Sequence, residues 1–138
     1  MDYAATTPLD PRVLEAMKPY FTEVYGNASS INTFGLEARQ AVEDARKVVA
    51  GLMNAESEEL IFTGSATEAN NLVLKGFALK EGRKKAHIAI STIEHDSVLN
   101  SAKWLETQGF RITRIPVDRY GLLDIEALTN ALRSGVSL

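Results

Sequence analysis

The stretch "ELIFTGSATEANNLVLKGF" (59–77) changes its periodicity halfway along. "LIFT" (60–63) reads as a short apolar strand, while Ala69, Leu72, Val73, Gly76 and Phe77 recur at the spacing of one helix face. Between them, Gly64-Ser65-Ala66-Thr67-Glu68 is a strand-to-helix turn built of small residues. Two readings use the same atoms. As a capping box, Ser65 accepts from the backbone N–H of Glu68 and Glu68 reaches back, stabilising the helix by about 1 kcal/mol. As an anion site, the turn leaves the first helical N–H groups open at the positive end of the helix dipole. A phosphate then fits on the N–H groups of Ala66 and Thr67, with the Ser65 and Thr67 hydroxyls as further donors and Gly64 allowing close approach. The turn has no P-loop lysine and no Gly-x-Gly-x-x-Gly, so a phosphate handle on a cofactor suits it better than a nucleoside triphosphate.

Outward from this turn, helices and strands alternate. Asp10-Pro11 caps and starts a helix over about Pro11 to Glu23, with Val13, Leu14, Met17, Tyr20 and Phe21 on one face. "GNASSINTFG" (26–35) is a polar, glycine-bounded loop, and a long helix follows from about Leu36 to Met53. After the helix at 66, "GRKK" (82–85) is a charged turn and "HIAIST" (87–92) a strand. "DSVLNSAKWLETQG" (96–109) is a helix expected to be capped by Asp96 and stopped at Gly109. "FRITRIPV" is the next strand, Asp124 opens a helix ending at Gly135, and "VSL" begins another strand. The order predicts an α/β domain of parallel βα units, divided into an N-terminal helix and loop segment (1–35) and an incomplete α/β part (36–138). A sheet cut at "VSL" is expected to leave a strand edge and an apolar face uncovered.

The totals narrow the function. The chain has 138 residues, 45% hydrophobic, with a formal net charge of −3, which gives no electrostatic case for nucleic acid or an anionic membrane. No apolar run approaches the roughly 20 residues of a membrane span, and "MDYAATTPLD" is polar where a signal peptide is basic and then apolar, so a cytoplasmic location is expected. Cysteine is absent, which excludes a disulfide, a thiolate metal site or a thiol nucleophile within this chain. With only His87 and His95, no metal site is expected.

"STIEHDSV" (91–98) carries the second candidate. His95 follows its strand as Thr67 follows "LIFT", and in an open parallel sheet both turns lie at the carboxyl edge, where ligands collect. His95 is then either a ligand-facing group or a surface or capping residue at a helix start. His87, at the other end of its strand, has no assigned role.

Taken in order, "DYAATTPLDPRV", "GNASSINTFG", "IFTGSATEANNL" and "STIEHDSVL" resemble the NifS-like cysteine desulfurases, over about the first third of such an enzyme. The resemblance implies a homodimeric, fold-type-I enzyme of the class-V aminotransferase family that uses pyridoxal 5'-phosphate (PLP). It implies conversion of L-cysteine to L-alanine, with persulfide sulfur passed to an iron–sulfur scaffold protein or to tRNA thiolation. By position, Ala66 and Thr67 would hold the PLP phosphate with Ser65 nearby, and His95 would stack on the pyridine ring and assist proton transfer. The segment 4–8 and the 26–35 loop would approach the active-site cleft. The Schiff-base lysine, the aspartate at the pyridine nitrogen and the sulfur-accepting cysteine would lie beyond Leu138, since none of the lysines here sits in a matching context. The 138-residue chain alone is therefore expected to be inactive, and a complementing C-terminal chain is one way to complete it.

Four positions depart from the family pattern. Gly64-Ser65 stands where Ser-Gly is usual, Ala28 where proline is common and Asn32 where histidine is common. Two further readings stay open: a related PLP enzyme, such as an aminotransferase or selenocysteine lyase, and a catalytically silent dimerising scaffold. Retention of both Thr67 and His95 argues against the scaffold.

Overall fold

Pro19 divides what the spacing reads as one helix. In the computed structural model, which describes Tyr3 and residues 5–138, α1 (Pro11–Met17) ends and α2 (Pro19–Thr22) starts afresh. The ring nitrogen of Pro19 has no hydrogen to donate to the preceding turn, so the ladder is interrupted there. The cap at the start is as expected, with the Asp10 carboxylate accepting from the Arg12 N–H at 2.8 Å. The chain divides into two compact units, Met1–Ile61 and Phe62–Leu138.

In the first unit, α3 (Thr33–Leu52) begins three residues earlier than the apolar stripe indicates. Asn32 causes this, because its side-chain oxygen accepts from the Gly35 N–H at 2.9 Å and caps the helix inside the predicted loop. The loop then folds back on α3 so closely that a Cβ on Gly35 would lie 2.4 Å from the Ser30 carbonyl oxygen. The stripe of α3 buries Ala38 and Ala50, while Val48 and Leu52 stay 64% and 84% exposed. Arg46, ion-paired with Glu43 at 3.2 Å, donates to the Leu60 carbonyl and fastens the chain after α3.

"LIFT" is not a strand. Residues 60–63 run without regular structure, with Ile61 66% exposed. A strand exists only where its N–H and C=O groups meet a neighbour, and among the described residues the strands β1 (His87–Ser91) and β2 (Arg111–Ile115) pair with one another instead.

The second unit is built from α4 (Ala66–Glu81), β1, α5 (Asp96–Thr107), β2 and α6 (Ile125–Arg133). β1 and β2 are parallel, in a register from His87 opposite Arg111 to Ser91 opposite Ile115, with α5 as the crossover. The core is Leu74, Ala78, Ala86, Ile88, Ile90, Ala102, Leu105 and Phe110. Ala78 on α4 and Ala102 on α5 are both fully buried, so small side chains stand where the two helices pack. On the other edge of β1, the Ser137 N–H donates to the His87 carbonyl at 2.8 Å and the Ala89 N–H to the Leu138 carbonyl at 2.9 Å. The strand signal in "VSL" is thus realised as the first rungs of a ladder. α5 differs at its cap: His95, not Asp96, occupies the N-cap.

His87 is buried at the start of β1, its Nε2 2.7 Å from Thr113 Oγ1 and its Nδ1 without a hydrogen-bond partner among the described residues. Burial, aided by the charge of Arg111, holds its pKa below the ordinary 6.5, while backbone at Ser134 and Gly135 pulls the other way without bonding geometry at Nδ1. A folded-state pKa below the unfolded value stabilises fully above the unfolded value, and the contribution is lost as pH falls through the unfolded value toward the folded one. The melting temperature of this unit is therefore expected to fall between about pH 7 and pH 5, and more steeply than in His87→Gln. Parallel slopes in a thermal melt series would overturn that account.

Candidate functional site

The turn before α4 has the geometry of both sequence readings at once. Ser65 is the N-cap, extended at φ −167° and ψ 161°, and its Oγ accepts from the Glu68 N–H at 3.1 Å. The Glu68 carboxylate reaches back one residue further than the usual box, accepting from the Gly64 N–H at 2.6 Å. A Cβ at position 64 would lie 3.3 Å from that carboxylate oxygen. The Gly-Ser order therefore has a local reason: it keeps the hydroxyl at the cap and leaves the residue spanned by Glu68 without a side chain. The N–H groups of Ala66 and Thr67 have no acceptor among the described residues, and residues 64–68 are exposed. The carboxylate at the rim is engaged with Gly64, which leaves neutral donors facing solvent. That donor set fits a phosphate held by hydrogen bonds and a helix dipole.

The start of α5 supplies the second component. His95 Nδ1 lies 3.1 Å from the Ser97 N–H, capping the helix, and 2.9 Å from Ser97 Oγ. Asn70 on α4 donates its side-chain N–H to Ser97 Oγ at 2.8 Å. Ser101 Oγ lies 2.6 Å from the Ser97 carbonyl and 3.1 Å from Asn71 Oδ1, and Asn71 Nδ2 donates to the Thr67 carbonyl at 2.8 Å. A polar seam thus ties the first turn of α4 to the first turns of α5.

Thr67, Asn71 and Lys75 from α4, with His95, Asp96, Ser97, Asn100 and Ser101, line a cleft of about 320 Å³. Lys75 also stands 4.9 Å from the centre of the Trp104 ring. The cleft brings Thr67 and His95 together, whereas Ser65 and Ala66 sit at the turn and do not line it. Ala4, first residue of the "AATTP" segment, lies outside the described residues, and the 26–35 loop belongs to the other unit. That unit has a cavity of about 470 Å³, whose lining, which includes Val24, Ala41 and Val42, is apolar apart from the phenols of Tyr20 and Tyr25. Sequence reasoning missed Asn70, Asn71, Ser97 and Ser101. Ser97 and Ser101 are spaced i, i+4 on the buried side of α5, a polar interruption of an apolar stripe that calls for partners on the facing helix.

The model of the family described as Aminotransferase class-V matches residues 1–138. The cysteine desulfurase IscS 1 of Archaeoglobus fulgidus is 47% identical over 137 residues, which cover 99% of this chain and 36% of that protein. A solved NifS-like protein superposes with a TM-score of 0.85 at 39% identity, over 94% of this chain and 35% of that one. The structure described as SspA in complex with cysteine gives a TM-score of 0.87 at 37% identity, over 98% and 39%. The chain spans about a third of the length of the curated relatives it matches, 36% of the one from Archaeoglobus.

Proposed function

The chain belongs to the class-V aminotransferase family, and from that membership we propose that it is the N-terminal portion of a cytoplasmic, homodimeric cysteine desulfurase. The observation that carries this reading is the meeting of Thr67 and His95 in one cleft, beside a turn with open N–H groups. PLP is the cofactor of the family, and when bound it supplies the electron-withdrawing ring on which bonds at the substrate's α-carbon are weakened. The Ala66 and Thr67 N–H groups and the Ser65 and Thr67 hydroxyls bind its phosphate. His95 would stack on its ring and assist in moving a proton.

The substrate is L-cysteine, a reading supported by the desulfurase relative and by the cysteine complex of SspA. The products are L-alanine and a persulfide, whose sulfur passes to an iron–sulfur scaffold protein or another acceptor. Dimerisation is supported by large apolar side chains that a subunit interface would cover, Ile31 at 92% and Tyr25 at 70% exposure among them. Within that enzyme, residues 1–35 are the N-terminal helix and active-site loop segment and residues 36–138 the incomplete N-terminal part of the cofactor-binding domain.

The test joins the chain to a C-terminal polypeptide that carries the lysine and cysteine missing here. Mixed with PLP and L-cysteine, the pair is expected to take up PLP, trapped by borohydride as a covalent adduct in the intact-mass spectrum, and to release alanine. Two folded polypeptides that associate yet bind no PLP and release no alanine would overturn the proposal.

A further inference from the structure

We infer that Asn70 and Ser97 are positioning residues that fix the tautomer of His95, so that its ring offers Nε2–H as a hydrogen-bond donor. The inference deepens the reading of His95 above and, for its functional meaning, rests on it. A backbone amide can only donate, so the Ser97 N–H 3.1 Å from His95 Nδ1 makes that nitrogen an acceptor. Ser97 Oγ, 2.9 Å from the same nitrogen, then donates its proton there as well. The hydroxyl oxygen accepts in turn from Asn70 Nδ2 at 2.8 Å.

The polarity runs one way, from the Asn70 amide through the Ser97 hydroxyl to the imidazole. Ser97 is 8% exposed, so its hydroxyl has little water to turn towards. A neutral imidazole with Nδ1 so occupied carries its proton on Nε2. His95, itself exposed and lining the cleft, therefore presents a donor rather than a lone pair to whatever binds there. This gives its part in proton transfer a direction: Nε2–H donates towards an acceptor atom in the cleft.

The experiment reads both ring nitrogens in the full 138-residue chain, labelled with 15N-histidine, by long-range proton–nitrogen correlation at about pH 8.5, where a free imidazole is neutral. His95→Gln assigns the signals by their loss. The expected result is a protonated Nε2 and a bare Nδ1. Asn70→Asp reverses the relay, since a carboxylate accepts the Ser97 proton and leaves the hydroxyl lone pair towards the ring. Its Nδ1 signal is expected to move towards the protonated position several-fold further than in Asn70→Ala. Ser97→Ala keeps the backbone cap and with it the protonated Nε2, and is expected to move only the Nδ1 signal as the hydroxyl donor is lost, with Ser97→Thr restoring the parent spectrum. A protonated Nδ1 in the parent chain, or identical spectra for Asn70→Asp and Asn70→Ala in folded proteins, would overturn the relay. Neither result depends on PLP uptake, so failure of the desulfurase reading shows separately.

Discussion

Leu105→Ala is expected to lower the stability of the Phe62–Leu138 unit by about 3 kcal/mol, within the range of roughly 2–5 kcal/mol for emptying a buried leucine site. Leu105 is fully buried and, with Ile88, is one of the largest side chains with no exposure. Its core includes Ala78, Ala86 and Ala102, whose single methyl groups cannot extend into the space a lost isobutyl group leaves. The cavity term therefore adds to the transfer term. The contrast is Val73→Ala on the same unit, where a side chain on a residue 54% exposed should cost less than about 1 kcal/mol. Urea denaturation of both variants checks the pair. For a domain of this size a slope near 1 kcal/mol/M places the Leu105→Ala midpoint roughly 3 M lower. Equal shifts for the two variants would mean that the α4–α5 seam is not the centre of the unit.

The helical half of this architecture is legible in the chain because capping is a local matter. Ser65 and Asp124 hold the ends that their sequence neighbourhoods imply, and Gly109 and Gly135 turn at φ 83° and 85° where the helices were expected to stop. "LIFT" misled because strand formation is not local: the same apolar run is a strand only with a neighbour to pair with. At α5 two residues contend for the cap, and His95 holds it because its imidazole takes the Ser97 N–H and its carbonyl takes the Val98 and Leu99 N–H groups that an Asp96 cap would need. That contest is invisible to a rule that ranks aspartate above histidine at helix starts. The candidate residues Thr67 and His95 stand out from the turn chemistry and from the order of the motifs, whereas the seam behind them, from Asn70 and Asn71 to Ser97 and Ser101, needed the two helices side by side.

Thr67→Asp is expected to abolish PLP retention while leaving the helix intact or slightly more stable, and these opposite signs separate the two readings of the turn. A carboxylate in the first turn of α4 meets the positive end of the helix dipole and stabilises the helix by about 0.3–1 kcal/mol. The same charge faces any phosphate seated on the Ala66 and Thr67 N–H groups. At a separation of about 4 Å and an effective dielectric near 20, each pair of unit charges repels by about 4 kcal/mol, roughly a thousandfold in affinity. Thr67→Ala removes one hydroxyl donor and should weaken binding by only about tenfold, and Thr67→Ser should hold it. PLP titration of the complemented enzyme by absorbance, with a thermal melt of each variant beside it, gives both numbers. A turn that only caps the helix would show the gain in stability with no change in PLP affinity, and that outcome would remove Thr67 from the cofactor site.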